Sequence, residues 1–202
     1  MANGKPGTGS EGEGKVVKPT RKVKERPRLS KGLIQVYTGN GKGKTTAALG
    51  LALRAAGHGL RSSIFCFMKT PDTYGEILGA GRVAPEIAIR AVGRETFVDR
   101  AHPAREDLRM AEEGFAQARE AVMSGEYDLV VLDEFNLVLD FGLVHVEEVL
   151  TLFREKPKHV EIVLTGRSAP TLILNAADLV TEMQEQKHYY PKGVFARRGI
   201  DY

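Results

Sequence analysis

Residues Thr38 to Thr46 read TGNGKGKTT, and their chemistry is that of a phosphate-gripping loop. Gly39, Gly41 and Gly43 permit backbone angles that other residues resist, so successive N–H groups can approach phosphate oxygens closely. Lys44 is spaced to bridge phosphate oxygens, and the Thr45 hydroxyl to ligate a divalent cation. Asn40 and Thr46 complete the set around a nucleotide. The loop departs from the usual G-x-x-x-x-G-K-[ST] pattern by placing Thr38 where the first glycine is expected, and it adds a second cation, Lys42. A second constellation, Asp133-Glu134, closes the apolar run DLVVLDE. One carboxylate there can hold Mg²⁺ (or Mn²⁺), directly or through water, while the other orients a nucleophile or shares the metal. The alternative for Asp133 is a helix cap at a strand end.

Other polar positions are less specific. Lys69 follows one apolar run and Arg167 another, and Arg167 can meet phosphate charge at the shared edge or be plain surface. Arg54, ten residues beyond Lys44, can reach a base or be solvated. The five histidines show no H-E-x-x-H spacing and read as structural or surface. Cys66 lies within an apolar run, as a small core residue does.

These residues need a scaffold. From residue 32 onward, short apolar runs alternate with helical patterns, as βαβ units do. LIQVYT (33–38), SIFCFM (63–68), IAIRAV (87–92), DLVVLDE (128–134) and VEIVLTG (160–166) read as strands. DLVTEM (178–183) is a candidate sixth, and the tail KHYYPKGVFARRGIDY is expected to add an edge hairpin. Residues 44–56 form the helix after the loop, stopped by Gly57 and Gly59. Leu108, Ala111, Phe115, Ala118 and Val122 make one apolar helical stripe, ended by Gly125. The expectation is an α/β fold with a mostly parallel five- or six-stranded sheet, helices on both faces, and ligands at the carboxyl ends of the strands.

Composition sets bounds. The net charge of +3 divides unevenly: residues 1–31 hold nine Lys/Arg and three Glu, leaving 20 basic and 23 acidic residues beyond. That first segment is rich in Gly, Pro and Ser, and reads as a basic flexible arm outside a folded domain of residues 32–202. A solvated tail, a tail ordering over a polyanion or partner subunit, and nucleic-acid binding all fit its charge. The slightly acidic body disfavours the last, so no nucleic-acid partner is expected. One cysteine excludes an internal disulfide, and no apolar run approaches the roughly 20 residues a membrane helix needs. A cytoplasmic protein without a membrane partner is expected.

GLIQVYTGNGKGKTTAALGLALRAAGHG, DLVVLDE, VLTGRSAP, ADLVTEM and the ending KGVFARRGIDY together resemble the ATP:corrinoid adenosyltransferases of the P-loop type, in order from about Gly32 to Tyr202. The resemblance implies a RecA-like fold that binds MgATP and a cobalamin or corrinoid precursor reduced to Co(I). Cobalt then attacks the ribose 5′ carbon and triphosphate leaves. It further implies a homodimer, an amino-terminal arm folded over the site, and an electron donor such as flavodoxin or reduced flavin. ATP is expected to lie reversed, its γ-phosphate where an ordinary P-loop holds the α-phosphate. On this reading Lys44 and Glu134 are the catalytic pair. Family members carry a Phe and a Trp facing the corrin; this chain has no Trp, and Phe97 is the nearest counterpart, unless it is ordinary core. Tyr74 and Lys69, in a loop lacking the family's glycine, are the other candidate corrinoid contacts. Two other classes share the loop. A nucleoside or small-molecule kinase would want an arginine-rich or cysteine-bearing lid. A nucleotide-dependent binding module would want a basic stripe on the body.

Overall fold

A computed structural model describes residues 1, 26–70, 74–83, 85–94, 96 and 98–202. Six strands form one sheet: β1 (Ile34–Thr38), β2 (Ser62–Phe67), β3 (Ile87–Val92), β4 (Leu129–Asp133), β5 (Glu161–Thr165) and β6 (Leu179–Glu182). Their spatial order is β3-β2-β4-β5-β1-β6, and every pairing is parallel. The fold is thus α/β with six strands, all parallel where "mostly parallel" was expected. β1 leads into the glycine loop, β4 ends at Asp133, and β5 lies between them, the RecA-like arrangement.

The apolar runs form strands because the sheet is covered on both faces. β2, β4 and β5 are buried at every residue. On one face, Ile64, Cys66, Val131 and Val163 meet Ala48 and Ala52 of α1 (Lys44–Gly57). The alternate residues Phe65, Phe67, Leu132 and Leu164 face α3 (Arg105–Ser124), α4 (Phe135–Asp140) and α5 (Val146–Glu155). Phe135 stacks on Phe115 at 5.4 Å and tilts against Phe67 at 4.7 Å. Two short helices, α2 (Gly75–Ala80) and α6 (Thr171–Ala176), complete the connections.

The expected carboxy-terminal hairpin does not form. After β6 the chain makes one 3-10 turn at Tyr190–Lys192 and returns across the glycine loop. Gly193 and Gly199, at φ 80° and 77°, permit that course. Polar bonds centred on Asp201, described below, hold it there in place of ladder pairing.

Candidate functional site

The glycine loop leaves β1 at the carboxyl edge of the sheet. It packs so closely on the end of β6 that a Cβ on Gly39 or Gly41 would lie 2.5 or 2.7 Å from the Met183 carbonyl. Gly41 N–H donates to that carbonyl at 2.6 Å. Gly43 has φ 117°, a conformation that favours glycine. Thr38 is the last residue of β1, so the turn proper starts at Gly39. Lys44, at the start of α1, is buried and donates to the Gly39 and Gly41 carbonyls, each at 2.7 Å. Burial lowers its pKa and Arg167 adds to that, while Glu134 and Asp133 oppose it. The ammonium therefore already senses both carboxylates and the arginine.

Asp133 and Glu134 take different positions. Asp133 is fully buried; Oδ1 accepts from Thr165 Oγ1 at 2.6 Å and Oδ2 from Lys69 Nζ at 2.8 Å. Glu134 follows in the left-handed region, φ 58°, its N–H donating to Thr165 Oγ1 at 3.0 Å. Among the described residues its carboxylate has no hydrogen-bond partner, and it lines the cavity while Asp133 does not. Burial pushes the Glu134 carboxyl up and the Asp133 charge adds to this, against Lys69, Lys44 and Arg167. Among the described residues, the non-glycine ones at positive φ are Met68, Glu134 and Ser168, shortly beyond β2, β4 and β5. Backbone strain thus concentrates at the one edge where the loop lies.

The cavity over this edge measures about 660 Å³. Asn40 to Thr46 form its floor, with Glu134, Arg167, Lys69 and Tyr74 around them. Gly39 shapes the loop without lining the cavity. Arg54 is exposed on α1 and also lies outside the lining. Lys69 bonds Asp133 and, at 3.2 Å, Glu76, with its ammonium 4.8 Å from the Tyr74 ring centre. Desolvation pulls the Lys69 pKa down, and the charge and hydrogen bond of Asp133 more than reverse it. Phe97 lies outside the described residues; three positions earlier in the sequence, Arg94 makes a bidentate pair with Asp107 at 2.6 and 2.7 Å, tying the segment after β3 to α3.

Sequence reading missed the opposite wall. His188, Tyr189, Tyr190, Ile200, Asp201 and Tyr202 all face the loop. Lys42, the surplus lysine, pairs with Asp201 at 2.6 Å. The only sequence signal was the ending GIDY, which identified a family without a role for its residues. Pairing across 159 positions has no periodicity to betray it.

Among the described residues no cluster of three or more His, Cys, Asp or Glu side chains forms a metal cage. The Thr45 hydroxyl and Glu134 carboxylate instead suit Mg²⁺, which keeps few protein ligands and takes others from substrate phosphates. No helix among them is long and apolar enough to cross a membrane.

Comparison with known proteins matches the same features. The family model described as ATP:corrinoid adenosyltransferase BtuR/CobO/CobP covers residues 30–202. A corrinoid adenosyltransferase of Pseudomonas aeruginosa is 33% identical over 175 residues, covering 87% of this chain and 86% of its own. One from Escherichia coli K12 is 35% identical over 172 residues, covering 85% and 86%. The corrinoid adenosyltransferase CobA of Salmonella typhimurium is 33% identical over 189 residues, covering 90% and 95%. With a match running from the strand before the glycine loop to the final Tyr202, the chain belongs to the ATP:corrinoid adenosyltransferase family.

Proposed function

We propose that this chain performs its family's reaction, ATP-dependent adenosylation of a corrinoid, by a single displacement at the ribose 5′ carbon. The electron pair of Co(I) forms the Co–C5′ bond, the C5′–O bond breaks, and triphosphate departs with its pair. Cobalt ends formally as Co(III). The product serves adenosylcobalamin synthesis or salvage. The observation that carries this reading is the joining, in one cavity, of the glycine loop, Glu134 and Arg167.

The leaving group is a chain of phosphates, so catalysis here is charge stabilisation and orientation, with no general base. Lys44 sits at the loop floor, pinned by two carbonyls, and Arg167 and Lys42 stand at the rim. With ATP reversed in the loop, these cations meet the triphosphate and leave C5′ accessible. Mg²⁺ (or Mn²⁺), held by Thr45 and Glu134, would supply further neutralisation of the triphosphate. Asp133, both oxygens engaged, fixes the strand end that carries Glu134, and would reach a bound metal only through water. Tyr74 and Lys69 on the cavity wall form the proposed corrinoid side, and Phe97 joins the proposal on the family resemblance alone. The family resemblance supports a homodimer and an electron donor such as flavodoxin or reduced flavin.

The test is anaerobic incubation with ATP, Mg²⁺ and chemically reduced corrinoid. Light-sensitive adenosylcorrinoid and stoichiometric triphosphate are expected. ADP or orthophosphate as the nucleotide-derived product would overturn the displacement at C5′.

A further inference from the structure

The segment 188–202 has no element longer than a 3-10 turn and leaves its large apolar side chains in solvent. Phe195 is 71% and Ile200 65% exposed, so apolar burial does not hold it in place. Asp201 is the exception, its side chain only 7% exposed. Its Oδ1 accepts from Lys42 Nζ at 2.6 Å and from the Tyr189 hydroxyl. Its Oδ2 accepts from the Arg197 N–H at 2.9 Å and from Arg197 Nε at 3.1 Å. The Arg197 guanidinium lies 4.8 Å from the Tyr189 ring centre, closing the knot. Hydrogen bonds from Lys42, then Tyr189 and the Arg197 backbone, hold the Asp201 carboxyl well below the usual carboxylate range.

We infer that Asp201 is a positioning residue for the nucleotide: through Lys42 it sets the loop's second cation, and through Tyr189 and Arg197 it holds residues 188–202 as the outer wall of the cavity. The inference rests on the reading of this cavity as the ATP site. Lys42 is half-exposed on a flexible stem. A lysine held in advance loses less freedom when phosphate arrives. One carboxylate occupies one of its three ammonium protons and leaves two for phosphate oxygens.

The experiment is calorimetric titration of the full chain with MgATP, without corrinoid, on the parent, Asp201→Asn, Lys42→Gln and the double variant. Asp201→Asn keeps the side-chain shape and removes the charge. Each single variant is expected to weaken ATP binding roughly tenfold, and the double variant by less than the product of the two, because the Lys42–Asp201 contact is shared between them. Trypsin cleavage after Arg197 and Arg198, both exposed, should accelerate several-fold in Asp201→Asn while the melting temperature stays unchanged. ATP binding as tight as or tighter than the parent's, effects that multiply in the double variant, or unchanged tail cleavage would overturn the inference. The transfer reaction is scored apart: a parent chain that binds ATP yet yields no adenosylcorrinoid sinks the proposed reaction and leaves this inference standing.

Discussion

Glu134 shows how a single residue trades stability for chemistry. Its carboxyl is raised by burial and by Asp133 above the ordinary value of 4.5. For an acid whose folded pKa is raised, the native state binds more protons than the unfolded one, so ionisation costs stability as pH climbs through that window. Glu134→Gln removes this cost. The variant is expected to melt at or above the parent's temperature at pH 8 without nucleotide, with the advantage fading below about pH 4.5. Turnover should nonetheless fall by about 10²–10³ or more, as should that of Lys44→Ala, since each removes preorganised charge around the triphosphate. A Glu134→Gln protein that melts lower at pH 8 than the parent would contradict the assigned electrostatics. Cys66 illustrates the opposite case, a residue with reactive chemistry and no use for it. Burial pushes its thiol up to about 12, and the nearby Asp133 charge adds to that against Lys69. The folded protein at pH 8 should resist iodoacetamide and be labelled only in denaturant, because the thiolate is the nucleophile.

At the scale of elements, the strands were readable because continuous apolar runs such as SIFCFM and DLVVLDE have no other stable use in a chain of this composition. α4 was not: six residues after Glu134 are too few to display a helical period, and the left-handed Glu134 that launches it carries no glycine signal. The glycine loop was legible as a phosphate site. Its dependence on β6 was not, since a contact between Gly39 and Met183 depends on strand order. That contact makes Gly39→Ala a test of the element pair. The new Cβ would sit 2.5 Å from the Met183 carbonyl oxygen and 2.9 Å from its nitrogen, backbone atoms that cannot swing aside, at φ 91°. A loss of roughly 1–3 kcal/mol is expected in denaturant titration. ATP affinity should drop more than the stability loss alone explains, because the loop amides shift. Unaltered ATP affinity would mean that the β6 end does not set the loop.

The whole molecule has two edges with separate duties, and the arm is attached at the one away from the nucleotide cavity. Arg26 bonds Asp128 and, at 2.7 Å, the Glu126 carbonyl, just before β4. Arg28 bonds the Gly125 carbonyl and His159. Asp128 is fully buried, and its carboxylate also accepts from the Arg61 N–H at 3.0 Å. Residues 26–31, basic and proline-bearing like the rest of the arm, therefore take part in holding the fold, although composition groups them with it. Two truncations separate the duties. Removal of 2–25 should leave the melting temperature unchanged and, on the proposal that the arm folds over the active site, weaken turnover. Removal of 2–31 strips the guanidinium from a buried carboxylate, a loss of about 1–3 kcal/mol. At this chain length each kcal/mol lowers Tm by about 2–4 °C. Equal melting temperatures for the two truncations would show that the Arg26–Asp128 pair does not anchor the arm. Unchanged kinetics after removal of 2–25 would return those residues to a solvated tail.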